Sequence, residues 1–190
     1  MAHLKDQPYI NKQYVQNLLT QFYNELMLIY GNSMDMDILI VGGSALAYKY
    51  EYRSTVDIDA DIKFSRAINA VINKIALNNS IPPDWINQDF VKSMSYSRRL
   101  WTNAIPVPEL SNQLFKVYVV SDLDQLCMKA TSGGLKDRND IEFLAENCIK
   151  QGITCSMYKE RFTFLYGDQV REKEKAKKFI HKLFKYYKML

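Results

Sequence analysis

Histidine is nearly missing from this 190-residue chain, which has His3 and His181 and no other. A histidine-based metal centre or a Ser-His-Asp relay has little to draw on. Cys127, Cys148 and Cys155 are odd in number and form no C-x-x-C pair, which argues against a disulfide framework or a thiolate zinc site. No apolar run approaches the roughly 18 to 20 residues that a spanning helix needs. The opening residues, MAHLKDQPYINKQY, lack the apolar stretch of a signal peptide, so a cytoplasmic protein is expected. Seven glycines spell neither G-x-x-x-x-G-K-[ST] nor G-x-G-x-x-G, which leaves out the P-loop and dinucleotide fingerprints. Any catalysis must rest on carboxylates, lysines and arginines.

What is present describes a globular domain: 47% apolar and 24% charged residues, a balance that fits neither disorder nor a membrane protein. The net charge of +4 is unevenly placed. Between Asp168 and Leu190 eight Lys or Arg face three acids, so this tail is basic and the remainder close to neutral. Such a tail meets nucleic-acid phosphates or is a solvated helix face, and both readings stay open.

Apolar positions Val15, Leu18, Leu19, Phe22, Leu26 and Ile29 predict an amphipathic helix over 11–30. DILIV at 37–41 reads as a buried strand, GGSALAYKY as a turn leading into a short helix, and TVDIDADIKF as an alternating strand. A second helix follows from a Ser65 cap, closing at Asn78-Asn79. Pro82-Pro83-Asp84 is compatible with the start of a short helix, and LFKVYVV at 114–120 with a strand. From Ser121, an N-cap with Asp124 in the capping-box position, the chain reads as helical almost to its end, with an interruption at Gly133-Gly134. The expected fold is α/β, a small mixed sheet flanked by helices with a helical C-terminal portion. Its division is placed at a 1–151 core and a 152–190 helical extension packed on it, with the apolar side of the last helix either in that packing or against a partner.

The stretch VGGSALAYKYEYRSTVDIDADI at 41–62 carries the chemistry. Residues two apart in a strand lie about 6.5 to 7 Å apart on one face, so Asp57 and Asp59 reach one divalent ion or a close pair, with Asp61 farther along. Carboxylates suit Mg²⁺, which takes one or two of them and completes its shell with water and phosphate. The acids of an edge strand also serve solubility. Gly42 and Gly43, however, end an apolar strand in a turn that lets backbone amides approach an anion at a helix start. Together the two features point to a metal–nucleotide complex.

This stretch resembles the signature of the DNA polymerase β-type nucleotidyltransferase superfamily, a Gly-Gly or Gly-Ser turn before a strand of the form D-x-D. It is more closely similar to the AbiEii-like branch, the toxin-type nucleotidyltransferases of type IV toxin–antitoxin systems and their relatives. There Gly42, Gly43, Ser44, Arg53, Thr55, Asp57 and Asp59 match in order. A second block, DLDQLCMKATSGGLKDRNDIEFL, resembles that branch's downstream motif. The resemblance implies Mg²⁺-dependent transfer of a nucleoside monophosphate from ATP or another NTP to a hydroxyl, with pyrophosphate released. Asp57 and Asp59 would hold two Mg²⁺ ions. Gly42, Gly43, Ser44, Arg53 and Thr55 would bind the nucleotide, Arg53 alternatively bracing the loop. Lys129 would contact phosphates, and Asp137, or else Asp140 or Asp61, would be the third acid. The acceptor is left open: RNA such as tRNA gripped by the basic tail, a protein side chain or a small molecule. A cognate antitoxin is a further expected partner. The rival expectation is a non-catalytic nucleotide- or nucleic-acid-binding module that keeps the fold.

Overall fold

Asn11 opens the first helix by accepting the Tyr14 N–H on its side-chain oxygen, and the periodic apolar residues that follow form α1 (Lys12–Tyr30). The structure is a computed structural model that describes residues 11–50, 55, 57–132, 137–167, 170–172 and 174–187. Arg53 and the Gly133-Gly134 pair lie outside them. By compactness the chain divides into two units, Met1–Asp89 with Ile105–Val119, and Phe90–Ala104 with Val120–Leu190.

The first unit holds the whole sheet. Its elements are β1 (Met36–Ile40), α2 (Gly42–Tyr50), β2 (Ile58–Asp61), α3 (Arg66–Asn79), β3 (Ile86–Asn87), β4 (Ile105–Pro106) and β5 (Phe115–Val119). The strand order is β3-β2-β1-β5-β4. The sheet is mixed, β1 pairing antiparallel with β2 and parallel with β5, β2 parallel with β3, and β4 antiparallel with β5. β1 sits in the middle of this order, and all its residues but Asp37 are buried, as a strand covered on both faces requires. Phe22 of α1 meets Trp85 and Phe115 edge-on, with ring centroids 6.1 and 6.4 Å away. Ser65 caps α3 by accepting the Ile68 N–H.

Two local expectations are corrected here. Pro82-Pro83-Asp84 starts no helix; the Pro82 carbonyl accepts the Trp85 N–H at 3.1 Å in a turn that leads directly into β3. Buried Trp85, whose indole N–H donates to the Ile72 carbonyl, anchors that turn more strongly than proline's affinity for a helix start can oppose. The strand read over 55–64 narrows to β2, because β1 offers it pairing only at Leu39 and Ile40.

The second unit is helical: α4 (Asp122–Ser132), α5 (Arg138–Lys150), α6 (Cys155–Tyr166) and α7 (Glu174–Tyr187), with a short 3₁₀ segment at Arg98–Asn103. Gly152, where the sequence places the start of the helical extension, is a left-handed turn at φ +79° between α5 and α6. Ser121 Oγ accepts the Asp124 N–H at 3.2 Å, as the cap requires. The Asp124 carboxylate, fully buried, accepts two bonds from Arg161, from Nε at 2.5 Å and Nη2 at 2.7 Å. That fork pins α6 to α4. Ala176, Ile180 and Phe184 bury one side of α7, while Lys175, Lys177, Lys178, Lys182 and Lys185 are exposed. Among the described residues no helix is long and apolar enough to cross a membrane.

Candidate active site

The apolar β1 ends at Ile40, and the chain must reverse at once to start α2. Gly42 makes that reversal at φ +65°, a left-handed conformation that glycine adopts without penalty. A second constraint also selects glycine there. A Cβ at position 42 would collide with Oδ2 of Asp59 and stand 3.1 Å from its Cγ. The turn and the second acid of D-x-D are therefore packed backbone to carboxylate. The main chain closes the same contact, since the Val41 N–H donates to the Asp59 carbonyl at 2.9 Å.

Gly43 lies in the first turn of α2 and is half-buried. Ser44 is fully buried, and its hydroxyl donates to the Val41 carbonyl at 2.7 Å. It ties the helix start to the strand end and turns inward from solvent. Thr55 donates to Asp57 Oδ1 at 3.3 Å.

Asp57 stands in a bend just before β2, and Asp59 and Asp61 lie within it; all three are half-buried, whereas the alternating Ile58 and Ala60 are buried. The alternation thus carries the acids to one side, as the sequence pattern predicts. Asp57 Oδ2 receives a bond from Asn87 Nδ2 at 2.9 Å. Nothing in the sequence singles out Asn87: it sits in a two-residue strand after a Pro-Pro turn, and no periodicity marks a strand so short. Among the described residues no three His, Cys, Asp or Glu side chains come together as a metal cluster. The three acids on this side of β2 offer carboxylate oxygen, and the Asp57–Asp59 pair fits the one or two carboxylates that Mg²⁺ takes from a protein when phosphate and water complete its shell.

The second block of the sequence forms its own cluster in the helical unit. Lys129 Nζ lies 2.6 Å from Asp137 Oδ1 and 2.9 Å from Asp140 Oδ2. Ser132 Oγ is 2.7 Å from Asp137 Oδ2. The Asp140 side chain is 3% exposed, against 16% for both Lys129 and Asp137, so Asp140 is the inner acid and Asp137 the outer one. The lysine bridges the end of α4 to the start of α5.

The sequence profile of a family described as "Nucleotidyltransferase of unknown function (DUF6036)" matches residues 17–190. No curated protein and no solved structure matches the chain.

Proposed function

Because the chain belongs to the DUF6036 family of nucleotidyltransferases, we propose that it transfers a nucleoside monophosphate from an NTP to an acceptor hydroxyl, with Asp57 and Asp59 at the reacting centre. The observation that carries this reading is the close approach of Gly42 to the Asp59 carboxylate, which makes the glycine turn and the D-x-D strand one constellation. A turn that presents amides at a helix start favours an anion, and acids beside it favour a cation. Bound together, those two preferences describe a metal-chelated triphosphate.

In the reaction the acceptor oxygen bonds to the α-phosphorus as the α–β bridging bond breaks, pyrophosphate leaves with that electron pair, and the hydroxyl proton passes to a neighbouring carboxylate or to water. Mg²⁺, as one ion or two held by Asp57 and Asp59, would neutralise the triphosphate and acidify the attacking hydroxyl. Gly43, in the first turn of α2, would offer its main chain to the phosphates, with Gly42 making the turn that brings it there. Ser44 and Thr55 act at one remove, Ser44 by fixing the helix start and Thr55 by orienting Asp57. Lys129 and Asp137 enter this reading through the resemblance alone, Lys129 for phosphate charge and Asp137 for a third acid.

RNA is the acceptor favoured here. Lys175, Lys178, Lys182 and Lys185 of α7 present positive charge on the side opposite Ala176, Ile180 and Phe184, and that buried apolar side keeps the helix from lying in a lipid interface. A second reading, a non-catalytic nucleotide- or nucleic-acid-binding module, draws on the engagement of Lys129 with two carboxylates, which leaves less of its charge for phosphates.

Incubation with Mg²⁺, each α-labelled NTP and total cellular RNA, beside Asp57→Ala/Asp59→Ala, separates them. Label in RNA that requires both aspartates supports the transferase. Absence of label from RNA and from protein, with NTP and Mg²⁺ leaving the melting temperature unmoved, removes it.

A further inference from the structure

β3 is only two residues long, yet it sets one side chain against the acids of β2. Its parallel pairing makes Asn87 the register partner of Asp59, and Asn87 Nδ2 donates to Asp57 Oδ2 at 2.9 Å. The orientation of this amide is decided on its other side, where Oδ1 accepts the Asp89 N–H at 3.0 Å. An inverted amide would face oxygen to carboxylate and NH₂ to N–H, losing both bonds. With Thr55 on Oδ1, each oxygen of Asp57 has a neutral donor and retains lone-pair capacity.

We infer that Asn87 is the positioning residue of the Asp57 carboxylate, a neutral donor that fixes its orientation and leaves its full charge to a divalent cation. The inference rests on the proposed metal role of Asp57. A lysine or arginine at position 87 would hold the carboxylate equally well, but its charge would compete with the cation. An aspartate would add repulsion. An amide locked by a main-chain N–H does neither. Partners of this kind set the direction of a metal ligand without touching the metal, and their removal typically costs about 10- to 100-fold in metal affinity.

The test uses thermal melting of the full chain with a non-hydrolysable NTP analogue present throughout, comparing wild type with Asn87→Ala and Asn87→Asp. Each is melted in chelator at low and high NaCl, then titrated with Mg²⁺ and Mn²⁺. The expected result has three parts. Asn87→Asp melts below Asn87→Ala in chelator at low salt, and NaCl or a divalent cation closes that gap. Wild type is stabilised by the cations. Asn87→Ala needs about 10-fold or more cation for half of its shift. A residue that merely packs would show no difference between the two variants that salt relieves.

Equal melting of the two variants at every ionic strength would overturn the contact and the inference with it. A salt-relieved penalty in Asn87→Asp beside unchanged cation affinity in Asn87→Ala would overturn the positioning role. Should wild type show no cation shift while the salt-relieved penalty persists, the contact stands, but the metal role of Asp57 and the inference built on it both fall.

Discussion

The main chain at Gly42 lies so close to the Asp59 carboxylate that no side chain fits between them. Two motifs fifteen or more residues apart in the sequence thereby become one surface, and the contact makes a direct prediction. Gly42→Ala meets both the left-handed φ and the collision with Asp59. Gly152→Ala meets only the φ, since its Cβ would have open space. We expect Gly152→Ala to cost about 1 kcal/mol and Gly42→Ala about 2 kcal/mol or more. Urea denaturation measures both, and a Gly42→Ala/Asp59→Ala double-mutant cycle should return part of the excess.

Replacing either acid with its amide tests the chemistry apart from the fold. Asp57→Asn and Asp59→Asn should each lower nucleotide transfer on the order of 10³-fold. For Asp57→Asn, stability in chelator should stay within about 0.5 kcal/mol of wild type, because the substitution keeps the shape, Thr55 can turn its hydroxyl to accept from the new NH₂, and like-charge repulsion is removed. Single-turnover transfer rates and chemical denaturation of the same preparations check the pair.

Lys129→Ala would leave Asp137 and the nearly inaccessible Asp140 without the lysine. Breaking a buried pair by removing one partner costs about 3 kcal/mol. The matching variant Lys129→Met/Asp140→Asn removes charge from both sides and should recover much of that deficit. If it recovers stability but not transfer activity, Lys129 or Asp140 acts in the reaction; recovery of both confines the pair to the fold.

Burial pushes the His181 imidazole below its ordinary pKa, with Lys159 and Lys177 adding to the effect and Glu172 opposing it. The native state therefore prefers the neutral ring. Its contribution to stability is complete above the ordinary value of about 6.5 and is lost as pH falls through that value toward the depressed one. Melting temperature should decline between pH 7.5 and 5.5, and His181→Gln should flatten that decline.

The lysines of α7 give a salt signature. Four of them, Lys175, Lys178, Lys182 and Lys185, recur at three- and four-residue steps on the exposed side. Changing all four to Gln should weaken binding to single-stranded RNA and reduce the slope of log K against log salt by about 3, at about 0.7 for each phosphate no longer neutralised. Fluorescence anisotropy across salt concentrations reads both quantities. An unchanged slope would sink the assignment of this face.

Much of the architecture was legible because it is local. The three- and four-residue spacing of Val15 to Leu26, the caps Ser65 and Ser121, and the strict alternation from Asp57 to Asp61 each act within one element. Their periodicity survives whatever they pack against. Asp124 shows where this fails: the cap geometry was correct, but the carboxylate is bound to Arg161, thirty-seven residues on, and nothing local announces a partner at that distance. Arg53 falls outside the described residues, so its place in the site rests on the sequence match.

By itself the sequence determined the longer helices and strands, the side of β2 on which the acids stand, and the family to which the chain belongs, since each is carried by short-range pattern and by motif order. Tertiary structure alone decided that Gly42 abuts Asp59, that Asn87 of a two-residue strand holds Asp57, and that Lys129 is shared by Asp137 and Asp140. These are pairings across strands, turns and helix ends. They depend on register and closure, which the whole fold sets through the burial of its core, and no window of the sequence contains them.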